Sequence, residues 1–185
     1  MTRVALLALV LVLLPVRTGE GGPYDDYQKL TAAEKRLVLR YFWQVNDVRR
    51  ATEVARARSE RAFPQLAGQY DPRDAMRHAL WNAAMTARLR SKEAAKRWGD
   101  AHEEVPGNPA ARKAMDLQNN EAGRGLAWST RVAGRGLFAR DRFAGDDGLE
   151  ALVRQALAQG GLVEIEAVGG VRDPLAGRLV PTRQP

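Results

Sequence analysis

Cysteine is absent from the 185 residues. Its absence excludes disulfides, thiolate nucleophiles, cysteine-ligated metals and lipid attachment through a thiol. Histidine occurs only twice, as His78 and His102. No Gly-x-Ser-x-Gly element is present, and no glycine-rich nucleotide loop opens a helix after a strand. No apolar run reaches the length of a membrane span. The longest, Val4 to Val16, follows Arg3 and is too short to cross a bilayer, which takes about 20 apolar residues. It reads instead as the core of a secretory signal peptide, and residues 1–18 are therefore expected to be removed on export, with the cleavage point left open by the lack of an obvious small-x-small site. Lysine is scarce beside arginine, a skew that GC-rich coding explains more simply than phosphate recognition. The formal charge is +7, but Arg3 and Arg17 lie in or beside the expected leader. The remaining basic residues are interleaved with acids, and only Arg131, Arg135, Arg140 and Arg142 approach a basic face. Nucleic acid is accordingly not an expected partner. Without disulfides the mature chain must rely on its own core, and it is long enough to bury one.

The remaining chain reads as helical. After a Gly-rich lead-in, residues 19–30, Thr31-Ala-Ala-Glu34 matches a capping box for a helix to about Tyr41. Asn46 or Asp47 is placed to cap a second helix to about Phe63, whose charges suggest an exposed outer face. Asp71-Pro72 starts a third, residues 72–90. Ser91 starts a fourth to about Glu104, and Asn108-Pro109 a fifth that Gly123 or Gly125 should weaken. A last helix spans Asp146 to Gln159, with Gly160 as its stop. Leu162-Val-Glu-Ile-Glu166 alternates like a strand. The expected fold is mainly α, a bundle of about five or six helices over residues 31–160 with a small β or irregular tail at 161–185. Trp43, Trp81, Trp98 and Trp128 read as core anchors.

The third helix carries two stripes. Ala75, Met76, Ala79, Leu80, Ala83 and Ala84 recur at helical spacing for packing. Asp74, His78 and Asn82 follow one another at four-residue steps, so a carboxylate, an imidazole and an amide share a face, with Arg77 and Trp81 beside them. His102 and Glu103 end the fourth helix. Asp116 and Asn120 stand four apart on the fifth, near Asn119 and Arg124. If the three polar faces converge, Asp74, His78, His102 and Asp116 could hold a divalent metal such as zinc, since bundle cores build such sites from facing helices. Without metal, His78, His102, Glu103 and Asp116 supply general acid–base chemistry, and Arg77, Trp81, Asn82, Asn119, Asn120 and Arg124 are candidates to contact a substrate. Arg77 and Arg124 read equally as salt-bridge partners of Asp74 or Asp116.

The run Asp74-Ala-Met-Arg-His-Ala-Leu-Trp-Asn-Ala83, then Ala101-His-Glu103, then Met115-Asp-Leu-Gln-Asn-Asn120 with Gly123-Arg124, resembles an uncharacterised bacterial domain family with the signature RHAxWNA, HE and MDLxNNxxGR. The resemblance covers about residues 70 to 125. It implies a small, mainly helical domain of exported proteins and carries no activity with it.

Two functions are consistent with these residues. One is an exported hydrolase-like domain whose His/Asp/Asn pocket, with or without a divalent metal, acts on a phosphoester, lipid or envelope bond. The other is a non-catalytic envelope or partner-binding domain in which the polar residues form a structural hydrogen-bond network. A basic secreted effector acting on nucleic acid is a more distant third. An open pocket lined by both histidines favours the first, and a closed network the second.

Overall fold

The computed structural model describes residues 27–136 and 139–182; the expected signal peptide and residues 19–26 of the lead-in lie outside them. Among the described residues are six helices: α1 (Ala32–Arg40), α2 (Val45–Ala62), α3 (Pro72–Leu89), α4 (Lys92–His102), α5 (Ala110–Ser129) and α6 (Asp146–Ala158). Four short strands follow: β1 (Val163–Ile165), β2 (Ala167–Val168), β3 (Val171–Arg172) and β4 (Leu179–Pro181). The fold is mainly α with a small C-terminal β element. None of the described helices is long and apolar enough to cross a membrane.

Helix α3 lies at the centre, packed against α2, α5, α6 and α4. Asp71 caps it by accepting from the Asp74 amide at 3.0 Å, Pro72 takes the first helical position, and Arg90 ends it in a left-handed conformation, φ 51°. Ala75, Ala79, Ala83 and Ala84 are fully buried among Met76, Leu80 and Met85. Small side chains let neighbouring backbones come close, and α5 comes closest. A Cβ built on Gly123 would lie 1.9 Å from the Ala79 carbonyl oxygen and 2.8 Å from its Cα. Glycine at this position is thus a condition of the α3–α5 packing. For the same reason α5 does not stop at Gly123 or Gly125, as propensity alone predicts, but runs on to Ser129. Packing outweighs the ~1 kcal/mol that a mid-helix glycine costs.

The Thr31–Glu34 capping box is present, with Thr31 Oγ1 accepting from the Glu34 amide at 3.0 Å and Glu34 Oε2 accepting from the Thr31 amide at 2.8 Å. Its hydroxyl also donates to the Ala101 carbonyl at 2.7 Å, tying α1 to the end of α4. Ser91 caps α4 as expected. Two expected caps are replaced. A 3-10 turn at Phe42–Gln44 leads directly into α2, so neither Asn46 nor Asp47 caps it, and Asn46 accepts from Arg49 instead. At α5 the cap position is Pro109, with no side-chain cap, while Asn108 reaches back to the Glu103 carbonyl. The charges of α2 do pair along the helix, Arg49 with Glu53 and Arg56 with Glu60. On the tryptophans, Trp98 and Trp81 are buried, Trp128 is half-buried against Phe143, and Trp43 is exposed, contrary to a core role.

Strand β1 pairs antiparallel with β4, and β2 with β3 in a hairpin turned by Gly169 and Gly170, both at positive φ. The expected alternation in β1 is incomplete, because Glu164 is buried too, its charge met by Arg172 at 2.7 Å. Asn119 fastens β1 to α5: its Nδ2 donates to the Val163 carbonyl at 2.8 Å and its Oδ1 accepts from the Val163 amide at 2.9 Å. Both contacts are fully buried. Asn119→Ala should therefore strand two backbone groups, at about 1 to 3 kcal/mol each. Hydrogen exchange should then show faster exchange at residues 163–165 than in α3, and unchanged protection there would contradict the assignment.

Candidate functional site

The segment before α3 is shaped around one carboxylate. Tyr70 takes a left-handed conformation, φ 62°, which is uncommon for a residue with a bulky side chain. In it the Tyr70 amide donates to Asp74 Oδ2 at 2.8 Å, while Asp71 Oδ2 accepts from the Gly68 amide at 2.9 Å. Arg77 closes the other side, hydrogen-bonded to Asp74 Oδ1 and, at 3.2 Å, to the Gly68 carbonyl.

Four residues on, His78 is buried with a polar group at each ring nitrogen. Nε2 lies 3.4 Å from Asp74 Oδ1 and 3.4 Å from Asp116 Oδ1. Nδ1 lies 3.3 Å from Asn120 Oδ1 and 3.7 Å from Glu103 Oε1. Three carboxylates from three helices thus surround one imidazole, and all three are nearly inaccessible to solvent. Two arginines balance them from the surface: Arg77 at Asp74 and Arg112, whose Nε is 3.5 Å from Asp116 Oδ2. Arg112 was not legible as a site residue, because its i,i+4 relation to Asp116 looks like any surface pair.

The crowding is visible in proton affinities. Burial works against a charged His78, yet its hydrogen-bonded partner Asp74 and the Asp116 charge outweigh that, and its pKa is raised. Asp116 is pushed up from 3.8 to about 6, by burial first; the attraction of His78 works against that, the repulsion of Asp74 and Glu103 works with it, and Arg112 opposes it again. For Asp74 burial is likewise the largest influence, but the His78 bond, Arg77 and the Tyr70 amide reverse it, and its pKa is lowered.

Behind His78 the polar stripe of α3 continues through Asn82 to Thr86, whose hydroxyl donates to the Asn82 carbonyl at 2.8 Å. Asn82 Nδ2 donates to Asn120 Oδ1 at 2.6 Å, and Arg124 Nη1 donates to Asn82 Oδ1 at 2.8 Å. Glu121 holds the rest of the Arg124 guanidinium.

The structure brings Asp74, His78, Glu103 and Asp116 together, with Asn82 and Asn120 behind them. Three expected roles change. His102 does not join the ligand set: half-exposed, it turns its Nδ1 to Glu34 Oε1 at 3.0 Å, and its ring centre is 6.4 Å from that of His78. Asn119 is taken up by β1, both ends of its amide being bonded to the Val163 backbone. Arg124 is buried in the Asn82–Glu121 contacts, bordering a separate cleft of about 420 Å³ with Lys96, Lys113 and Glu121. Trp81 packs edge-on against His102, ring centres 5.0 Å apart.

A ligand atom from each of Asp74, His78 and Asp116 lies within 4.8 Å of the other two. Bonds of about 2.0 to 2.2 Å in a tetrahedral zinc site separate neighbouring ligand atoms by roughly 3.3 to 3.6 Å. The two 3.4 Å spacings from His78 Nε2 match that edge. Moreover, the surrounding polar groups are not satisfied among themselves. Both Asp116 oxygens, Glu103 Oε1, Asn120 Nδ2 and the Trp81 indole nitrogen are buried without a hydrogen-bond partner. A purely structural network seldom leaves so many in one place.

The family described as a domain of unknown function (DUF6973) matches residues 35–139, which include every residue of this cluster. No curated protein and no solved structure matches the chain.

Proposed function

This chain belongs to the DUF6973 family, whose description assigns no reaction, and we propose from the geometry of its residues that it is an exported hydrolase whose Asp74, His78 and Asp116 hold a divalent cation. The observation that carries the proposal is Asp116: 1% exposed, with both oxygens lacking a hydrogen-bond partner and one of them a tetrahedral edge from His78 Nε2. One imidazole and two carboxylates suit zinc, manganese or iron. A bound ion of this kind lowers the pKa of a coordinated water and so supplies a nucleophile near neutral pH. The chain's own residues would do the rest. Arg77 and Arg112, each partly exposed beside a ligand carboxylate, favour an anionic substrate such as a phosphoester, and guanidinium forks bind phosphate well. Glu103, on the Nδ1 side of His78, is not a ligand and favours a proton on Nδ1 of the neutral ring.

A second reading rests on Arg77. Its Nη2 is bonded to Asp74 Oδ1 and lies 3.4 Å from His78 Nε2, so a guanidinium already stands where a cation would. On this reading Arg77 is the resident positive charge and the network is structural, in a non-catalytic envelope domain.

Thermal melts of chelator-treated protein with and without zinc or manganese separate the two. A cation at 100 times its Kd should stabilise the fold by about 2.7 kcal/mol, or roughly 5 to 11 °C for a domain of this size. Loaded protein should then hydrolyse a chromogenic phosphodiester or phosphomonoester faster than a neutral carboxylic ester. No shift with either metal would leave Arg77 as the occupant and remove the hydrolase proposal.

A further inference from the structure

Arginine has hydrogen-bond donors and no acceptor. Arg124 Nη1 stands 2.8 Å from one end of the Asn82 amide, and that end must be the oxygen. The amide nitrogen of Asn82 therefore points the other way, 2.6 Å from the Asn120 side chain, and the atom it meets must also be an oxygen. That same oxygen lies 3.3 Å from His78 Nδ1. An amide oxygen only accepts, so Nδ1 is the ring nitrogen that carries the proton, and in the neutral ring Nε2 is left with a free lone pair.

We propose that Arg124, Asn82 and Asn120 form a positioning relay that holds the His78 proton on Nδ1 and presents the Nε2 lone pair to the space between Asp74 and Asp116. The inference rests on the proposed cation centre and specifies which atom of the ring serves it. Metal-binding histidines commonly donate their second N–H to a fixed acceptor, which sets both tautomer and ring orientation. Here the acceptor is a neutral amide whose direction is dictated from two residues away. Glu103 Oε1, 3.7 Å from Nδ1, and the Arg77 donor, 3.4 Å from Nε2, favour the same tautomer. They act against the pull of Asp74 Oδ1 and Asp116 Oδ1, each 3.4 Å from Nε2, which a cation between them would remove.

Local construction keeps the relay in register. Arg124 is immobilised by Glu121, which accepts from Nε at 3.1 Å and from Nη2 at 2.6 Å. Asn82 and Asn120 are fully buried. Gly99 of α4 leaves room for the contact, since a Cβ there would lie 2.9 Å from Asn82 Oδ1 and 3.4 Å from Arg124 Nη1. The arrangement leaves Asn120 Nδ2 unpartnered, a cost of about 1 to 3 kcal/mol. Turning that amide over would instead set its NH2 against the NH2 of Asn82.

Asn82→Asp inverts the relay without changing its shape. An aspartate still accepts from Arg124 but has nothing to donate, so Asn120 must turn its NH2 toward both position 82 and His78. Nδ1 then becomes the acceptor, and the proton moves to Nε2. Ring nitrogen NMR of the full-length, chelator-treated protein reads this directly at a pH where the imidazole is neutral, and His102 provides the only other ring signal. The parent should show a protonated Nδ1 and a bare Nε2, and Asn82→Asp the reverse, with cation affinity reduced at least tenfold. If Asn82→Asp fails to fold, Arg124→Met should give a mixture of tautomers while Arg124→Lys, still a donor, restores the parental pattern. A parent with the proton on Nε2, or variants that all keep it on Nδ1, would overturn the relay. Loss of the cation proposal looks different: a normal Nδ1–H signal in a protein that binds no metal.

Discussion

Gly123→Ala should lower the melting temperature by about 4 to 8 °C, whereas Gly125→Ala, two residues further along the same helix, should raise it by about 2 to 4 °C. The first Cβ would sit 1.9 Å from the carbonyl oxygen of Ala79 and within 3 Å of two more atoms of that backbone, and the second meets nothing within 4 Å. A helix backbone cannot yield as the end of a flexible side chain can, so α5 must shift bodily away from α3. Overpacking of this kind costs about 1 to 3 kcal/mol and occasionally more, with the upper end expected where the obstacle is main chain. In a domain of this size each kcal/mol is roughly 2 to 4 °C. Alanine's better helix propensity, worth ~1 kcal/mol, acts in both variants and is the only effect at Gly125. The displacement should also carry Asn120 and Arg124 away from His78 and Asn82. Equal melting temperatures for the two variants would show that the helices do not meet at this glycine.

Asp116→Asn should abolish the cation-dependent rise in melting temperature and yet make the metal-free protein more stable at neutral pH. A carboxyl raised from its ordinary 3.8 to about 6 binds its proton more tightly folded than unfolded. Its contribution to stability is therefore complete below about pH 4 and is lost as the pH rises through about 6. Above that, the folded state carries an ionisation cost of roughly 2 to 3 kcal/mol, at ~1.4 kcal/mol for each unit of pKa. Asparagine has the same shape and no charge to bury. Unfolding measured from pH 4 to pH 8 should show parent and variant converging at the acid end and the variant ahead by about 2 kcal/mol at the alkaline end. Metal titration of the same samples should show at least a hundredfold weaker binding in the variant. A variant less stable than the parent at pH 8 would mean that Asp116 is held by its attraction to His78 and Arg112, as the structural-network reading requires. Residues kept for a ligand are often ones that the empty fold would be better without.

Much of this arrangement was legible in the sequence. Asp71-Pro72, Ser91 and the Thr31–Glu34 box are local signals, each complete within four residues, and all three start helices where expected. The four-residue step of Asp74, His78 and Asn82 placed one wall of the site, because side chains that far apart on a helix share a face whatever the helix packs against. The role of His102 was not legible. It depends on Glu34, 68 positions away, and no spacing within α4 announces that contact. Asn119 and Asn120 are neighbours in sequence, yet one grips a strand and the other faces an imidazole. Composition made them alike, and only the direction of each side chain around α5 separates them. The full length of α5 is not legible in the sequence, because the glycine that weakens a free helix is the residue that allows this one to pack.

The Tyr70 carbonyl accepts a hydrogen bond from the Ile165 amide at 3.0 Å, and its own amide is the one that reaches Asp74. One residue therefore joins the carboxylate pocket to the C-terminal strand, which Asn119 also grips. During synthesis α3, α4 and α5 emerge well before β1, so the helices can associate while the Tyr70 turn still lacks its outer support. The pocket is finished only when the last part of the chain folds back. A polypeptide cut short in its final thirty residues would keep all of the acidic and imidazole groups but not the turn that aims the first of them.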